Sequence, residues 1–165
     1  MRVARPPDTE IHMNRLSFSA FILTRVPIAW IAGVSLGHMD HASCQTEVKH
    51  RWLNQNPFKS MFWAVEGMAA EFSTGALCIS RIRLSKRKIS LLVVNLEASF
   101  TRKAVGKIVF RCDQGAEVDA TIQNALSTME PQLLRMRSVG VDSHGDQVAE
   151  FFFTWSFKAK DHTVT

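Results

Sequence analysis

The sequence predicts an α+β protein: a curved antiparallel sheet of six strands wrapped around one long central helix, with an N-terminal helix and a short extra helix. Three observations predict it. Apolar and polar residues alternate in short runs, the period-two mark of half-buried strands. The stretch Pro57 to Leu77 is apolar on every side at helical spacing, as in a helix enclosed by protein. The strand runs come in pairs joined by short turns, which predicts hairpins and antiparallel pairing. Such a sheet has one face to cover, and one long helix covers it if the sheet curves.

The elements follow in order. Met13 to Thr24 reads as a leading helix with Leu16, Ala20, Phe21 and Leu23 inward; Pro27 breaks it, and Ile28 to Ala32 adds one turn. Gly33 to Met39 is a short strand, and Met39-Asp40-His41 turns the chain. From Ala42 to Trp52 the alternation is strict. Ala42, Cys44, Thr46, Val48, His50 and Trp52 share one face, with Ser43, Gln45, Glu47, Lys49 and Arg51 opposite. Asn56 before Pro57 is a helix-start signal. Phe58, Met61, Phe62, Val65, Met68, Ala69, Phe72 and Ala76 then form a stripe, while Trp63, Ala64, Gly67 and Ala70 keep the other side apolar. Leu92 to Phe100 and Ile108 to Cys112 read as a strand pair around Gly106. Gly115 opens the short helix and Pro131 ends it. Leu134 to Val141 shifts its apolar parity, which predicts a bulge near Ser138. The turn Ser143 to Asp146 leads into the last strand, Ala149 to Lys158.

The chain has 165 residues, enough for one ordinary domain, and is 46% apolar, which excludes a wholly disordered chain. A loose tail over 1–12, one domain over 13–160 and a C-terminal tail over 161–165 are expected. Lysine and arginine exceed the acids by 20 − 15 = +5. That is short of a dedicated nucleic-acid binder. Cys44, Cys78 and Cys112 are far apart, with no Cys-x-x-Cys pair. That excludes zinc-ribbon and thioredoxin-type sites and fits a reduced, cytoplasmic setting. Leu16 to Leu36 and Met61 to Ile79 are apolar enough to suggest membrane elements. Arg25 and Pro27 interrupt the first, and Glu66 and Glu71 lie inside the second. An ionised carboxylate costs a few kcal/mol in lipid, so no membrane partner is expected.

The segments PIAWIAGVSLG, NQNPFKSMFWAVEGMAAEFSTGAL, ASFTRKAVGKIVF and VAEFFFTWSF together resemble the hotdog-fold thioesterase superfamily. The nearest likeness is to a domain-of-unknown-function branch similar to phenylacetyl-CoA-type thioesterases. The resemblance implies a homodimer, or a homotetramer built from two, that binds an acyl-CoA-like molecule beside the central helix at the subunit boundary. It implies hydrolysis by an acid on that helix, with the helix N-terminus polarising the thioester oxygen. No cofactor is implied.

On this pattern Glu66 falls where relatives carry the catalytic acid. Glu71, five residues on, points about 140° away around the helix, so the two do not form a dyad. Both are candidates because a buried acid needs a partner or a raised pKa; Glu71 is expected to be the more enclosed, by Ala64, Gly67 and Ala70. Their plainer role is an ion pair or a backbone contact. Asn56, like Asn54, is a candidate for orienting water or the substrate carbonyl, against a plain capping role. Phe58, Lys59 and Ser60 stand where the helix N-terminus should offer its free N–H groups. Active relatives place a His-Gly-Gly-like run there; its absence motivates the alternative of a non-catalytic acyl-ligand binder. A dehydratase is disfavoured, since no Asp-x-x-x-x-His pair occurs in this segment. The run 81–88, with Arg87 and Lys88, is either a solvated loop complementing the helix C-terminus or, joined by Arg102, Lys103 and Lys107, an attractor for the CoA phosphates. Nucleic acid is a third reading, weakened by the lack of interleaved aromatics. The six histidines are scattered, and no metal site is expected.

Overall fold

A computed structural model describes residues 13–160; the two expected tails, 1–12 and 161–165, lie outside the described residues. Two helices lead, α1 (Arg15–Arg25) and α2 (Pro27–Ala32). A hairpin follows, β1 (Ser35–Met39) and β2 (Cys44–Lys49), and then the central helix α3 (Trp63–Ser85). Strands β3 (Ile89–Phe100) and β4 (Lys107–Cys112), helix α4 (Gly115–Thr128) and strands β5 (Gln132–Val141) and β6 (Gln147–Ala159) complete the described residues. The six strands form one antiparallel sheet in the order β1-β2-β4-β5-β6-β3.

The predicted class and strand number hold, and four details differ. First, β3 and β4 are not a hairpin. β3 pairs with β6 along almost its whole length, from Ile89↔Ala159 to Phe100↔Ala149. β4 instead enters between β2 and β5. A 12-residue strand matches a 13-residue one better than a six-residue one, and that length match is not visible from adjacency in sequence. Second, α1 buries Phe18 and Ile22, while Leu16, Ala20 and Leu23 face outward. The helix is apolar on several sides, so periodicity alone did not choose its face.

Third, α3 begins at Trp63, after Phe62 as N-cap, and runs to Ser85, ending on Lys86 in the left-handed region. Asn56 caps a local turn, not the helix: its Oδ1 accepts from the N–H groups of Phe58 (2.9 Å) and Ser60 (3.2 Å). The run 81–88 is therefore mostly the last turns of a helix. Fourth, the irregularity expected near Ser138 lies two residues on, and the apolar parity read for β5 is reversed. Ser138 and Gly140 continue the inward face of Met136, and the register shifts only between Gly140 and Val141. Their small side chains carry no apolar signal, so the pattern does not mark them as inward. Both are needed inside: a Cβ at Gly140 would overlap the Phe110 ring, and Ser138 Oγ lies 2.7 Å from Ser73 Oγ.

The helix lies against the sheet through Ala69, Ala70, Ser73, Leu77 and Ser80, all buried at spacings of three and four. Three polar pins fix its position. Thr46 Oγ1 on β2 donates to the Ala69 carbonyl (2.6 Å), Trp155 Nε1 on β6 donates to Thr74 Oγ1 (3.0 Å), and Ser73 meets Ser138 on β5. Phe110, Phe151, Phe157, Ile108 and Met136 fill the space between. At its far end Arg81 reaches Asp119 on α4 with two bonds, Nε–Oδ1 2.7 Å and Nη2–Oδ2 2.6 Å. The enclosure is incomplete: Trp63 and Glu71 are exposed, so one side of the first half of α3 is uncovered.

Candidate active site

The segment before α3 is organised by two asparagines. Asn54, 2% exposed, donates from Nδ2 to the carbonyls of Ala32 (3.0 Å) and Lys49 (2.9 Å) and accepts the Arg51 N–H on Oδ1 (2.7 Å). Asn56 donates from Nδ2 to Ser60 Oγ and to the Met61 carbonyl, both at 3.0 Å. With its Oδ1 also occupied, its amide is committed to its own loop. Two further backbone bonds seat the loop: Met61 N–H to the Ala104 carbonyl (2.9 Å) and Phe62 N–H to the Asn54 carbonyl (2.8 Å). Phe62 then hands the chain to α3, whose first N–H groups have no carbonyl a turn behind them.

Glu66 lies in the first turn of α3, at the head of its inward stripe. It is 4% exposed, and its Oε2 has no hydrogen-bond partner among the described residues. Burial away from water, uncompensated, pushes its pKa up to about 7. Glu71 is the exposed acid of the two, which reverses the expected order of enclosure. The protein crowding around it still pushes its pKa up, by desolvation. At roughly 100° per residue, five residues set the two carboxylates about 140° apart, as expected.

The other predicted residues divide into two groups. Phe58, Lys59, Ser60 and Lys103 are gathered beside the N-terminus of α3, where Lys103 Nζ donates to the Phe58 carbonyl (3.1 Å). Ser60 is buried, and Phe58 and Lys59 are exposed. Lys59 has φ 60°, the left-handed conformation that glycine favours. Arg102, on the same connection, pairs with Asp146 (2.6 Å). Arg87 and Lys88 follow the other end of α3, a 23-residue helix that spans about 34 Å. The fold does not bring them to the loop. Arg81, from the same basic run, is buried and paired with Asp119, and Arg83 lies over the Phe21 ring (5.8 Å).

One residue stands out that the sequence reading left among scattered histidines. His50 Nε2 is the other buried side-chain atom without a hydrogen-bond partner among the described residues. Its backbone N–H bonds the Gly106 carbonyl (2.7 Å), two residues from the Ala104 carbonyl that holds Met61. The alternation of Ala42 to Trp52 places it inward with Cys44, Thr46 and Val48, but it also places Ala42 and Trp52 inward, and both are exposed, because the strand spans only Cys44–Lys49. The thiols offer no nucleophile: burial pushes Cys44 and Cys112 up to about 12, and Cys78 well up. No group of three His, Cys, Asp or Glu fit to hold a metal occurs among the described residues.

A concavity of about 610 Å³ lies on the outer face of the sheet, lined by Arg111, Arg135, Arg137 and Phe152 among others. Each arginine is already neutralised, by Asp113, Glu97 and Glu150 respectively.

The family model for DUF4442, a domain of unknown function, matches residues 14–157. The chain belongs to the DUF4442 family. No curated protein matches its sequence. Solved structures resemble this DUF4442 chain in fold. PA5026 from Pseudomonas aeruginosa, described as a probable thioesterase, aligns at TM-score 0.72 and 20% identity over 84% of this chain and 93% of its own. OLEI01261 from Chlorobaculum tepidum, of unknown function, aligns at 0.75 and 11% over 88% and 94%. The Haemophilus influenzae thioesterase HI1161 aligns at 0.67 and 9% over 93% and 96%. The DUF4442 chain thus has a hotdog-like fold. No helix among its described residues is long and apolar enough to cross a membrane.

Proposed function

We propose that this DUF4442 protein hydrolyses an acyl-CoA thioester with Glu66 as general base, working as a homodimer. The observation that carries the reading is the buried Glu66 carboxyl in the first turn of the central helix, whose Oε2 has no hydrogen-bond partner among the described residues and whose pKa is raised to about 7. A base poised near neutral pH suits proton transfer. The Glu66 carboxylate takes a proton from water, whose oxygen attacks the thioester carbon. The first N–H groups of α3 face the oxygen as it becomes negative. The C–S bond then breaks, and the leaving thiolate receives the proton from Glu66. Glu66 is closed off in the isolated chain, so the proposal includes an opening of the shell around the first turn when substrate binds.

The homodimer rests on β3. It is a sheet edge of 12 residues. Leu92, Val94, Leu96 and Phe100 are exposed along it. A long apolar edge invites pairing with another strand. A second copy joined there would extend the sheet and cover the open side of α3, where Trp63 and Glu71 lie. A homotetramer would add a second interface. The exposed side chains of Phe58 and Lys59, where the hotdog resemblance implies glycines, favour the second reading, a non-catalytic acyl-ligand binder.

A panel of acyl-CoAs assayed for free thiol separates the two. Hydrolysis should be lowered at least about 100-fold by Glu66→Gln, the usual range for a lost general base. Binding of an acyl-CoA without thiol release would favour the binder. Turnover equal in the parent and the variant would remove Glu66 from the chemistry.

A further inference from the structure

The chain carries an apolar surface that neither the proposed site nor the β3 edge uses. Helix α2 has the sequence PIAWIA, with no polar side chain. Ala29 and Ala32 face the core, and Ile28, Trp30 and Ile31 make the exposed half. The short helical turn Trp52–Asn54 sits against the C-terminal end of α2. Asn54 Nδ2 holds the Ala32 carbonyl (3.0 Å), and Arg51 Nη2 reaches the Ile31 carbonyl (3.4 Å). That turn adds Trp52, 79% exposed, and Leu53, 62% exposed. Two adjoining segments therefore expose five large apolar side chains to water.

The segments that carry them are basic. Residues 13–39 and 48–65 contain no aspartate or glutamate, yet they hold Arg15, Arg25, Lys49, Arg51 and Lys59. Arg15 is taken by Glu47 (2.8 Å). The other four are exposed, and none pairs with a carboxylate among the described residues. Strands β1 and β2, which α2 and the Trp52 turn flank, lie at the sheet edge opposite β3. A dimer joined along β3 leaves this surface outside. Exposed tryptophans beside aliphatic residues, ringed by cations, suit the headgroup layer of an anionic bilayer.

We infer that Ile28, Trp30, Ile31, Trp52 and Leu53, with Arg25, Lys49, Arg51 and Lys59 around them, dock the protein peripherally on an anionic phospholipid surface. The sequence reading expected no membrane partner because it sought spanning segments; docking needs none. The inference is independent of hydrolysis by Glu66, since it is read without turnover.

The test is flotation of the full chain with phosphatidylcholine vesicles, alone or mixed with phosphatidylglycerol, with tryptophan emission followed in parallel. The chain has no tyrosine, so the emission reports tryptophan alone. Binding to the mixed vesicles, a blue shift, and release by salt are expected. The double variant Trp52→Ser with Leu53→Ser should lower partitioning about tenfold or more, since two large side chains leave the lipid. Arg25→Glu with Lys49→Glu should abolish the preference for anionic vesicles. Circular dichroism and thermal melting of both variants should match the parent, because the altered side chains are exposed. Three outcomes overturn the inference: no partitioning to either vesicle, equal partitioning to both, or a double variant whose sedimentation mass changes while its vesicle binding does not. The last would make the surface a contact between copies of the chain.

Discussion

Glu66 shows at one residue how burial changes the chemistry of an acid. In the unfolded chain its carboxyl ionises near 4.5; in the fold it holds its proton to about 7. A folded pKa raised above the unfolded one gives stability that is fully present below pH 4.5 and is lost as pH rises to 7. The shift corresponds to at most about 3 kcal/mol between pH 4.5 and 8. Glu66→Gln keeps the shape and cannot ionise, so the variant should match the parent at pH 4.5 and exceed it at pH 8 by up to that amount. Denaturant melts at the two pH values check this. Lys59 is the second telling residue. Its left-handed backbone costs a residue with a Cβ about 1 kcal/mol, and glycine little. Lys59→Gly should therefore raise the denaturation midpoint slightly, and a fall would show that the side chain contributes more than the strain removes. The acid was legible in the sequence as an ionisable group inside an apolar helix. Which acid is enclosed was not, because enclosure depends on whether a strand or open space lies opposite, and period alone does not say.

At the scale of elements, α3 is held at both ends by contacts that no local pattern announces. Its start is set by the Asn54 and Asn56 loop, where the asparagine before proline caps a turn and so postpones the helix by six residues. Its last turns are anchored by Arg81 on Asp119, an ion pair whose arginine is 9% exposed. Asp119→Ala would leave that guanidinium buried without a partner and should cost about 3 kcal/mol in a denaturant melt. A loss near zero would mean water replaces the carboxylate. Arg81 looked like part of a solvated basic run because its partner is 38 residues away in sequence. The strands were legible because alternation is local. Their order was not: pairing of β3 with β6 follows from matched length and a shared apolar inner face. The small inward residues Ser138 and Gly140 passed for outward ones, since hydrophobicity is the only burial signal a bare sequence carries.

For the whole molecule, one flank of the central helix and one sheet edge are left open together. Leu96, Ala98 and Phe100 lie opposite Phe153, Phe151 and Ala149 in register, and therefore on the sheet face that meets α3. One partner pairing along β3 would cover both. Sedimentation at micromolar concentration should give the mass of two chains, and Leu96→Asp with Phe100→Asp should give one. A monomeric parent would contradict the dimer and leave the hotdog assignment intact. The wrapped helix was legible from sequence because an all-apolar helix has few homes in a chain of this size.

The dependence of thioester hydrolysis on pH, measured for the parent and for Glu66→Gln, tests the account most directly. For the parent, the rate should rise as pH increases through about 7, where the carboxyl loses its proton, and then level off. The variant should show a residual rate without that rise. A parent profile flat across neutral pH, or the same rise in the variant, would contradict the assignment of Glu66 as the base.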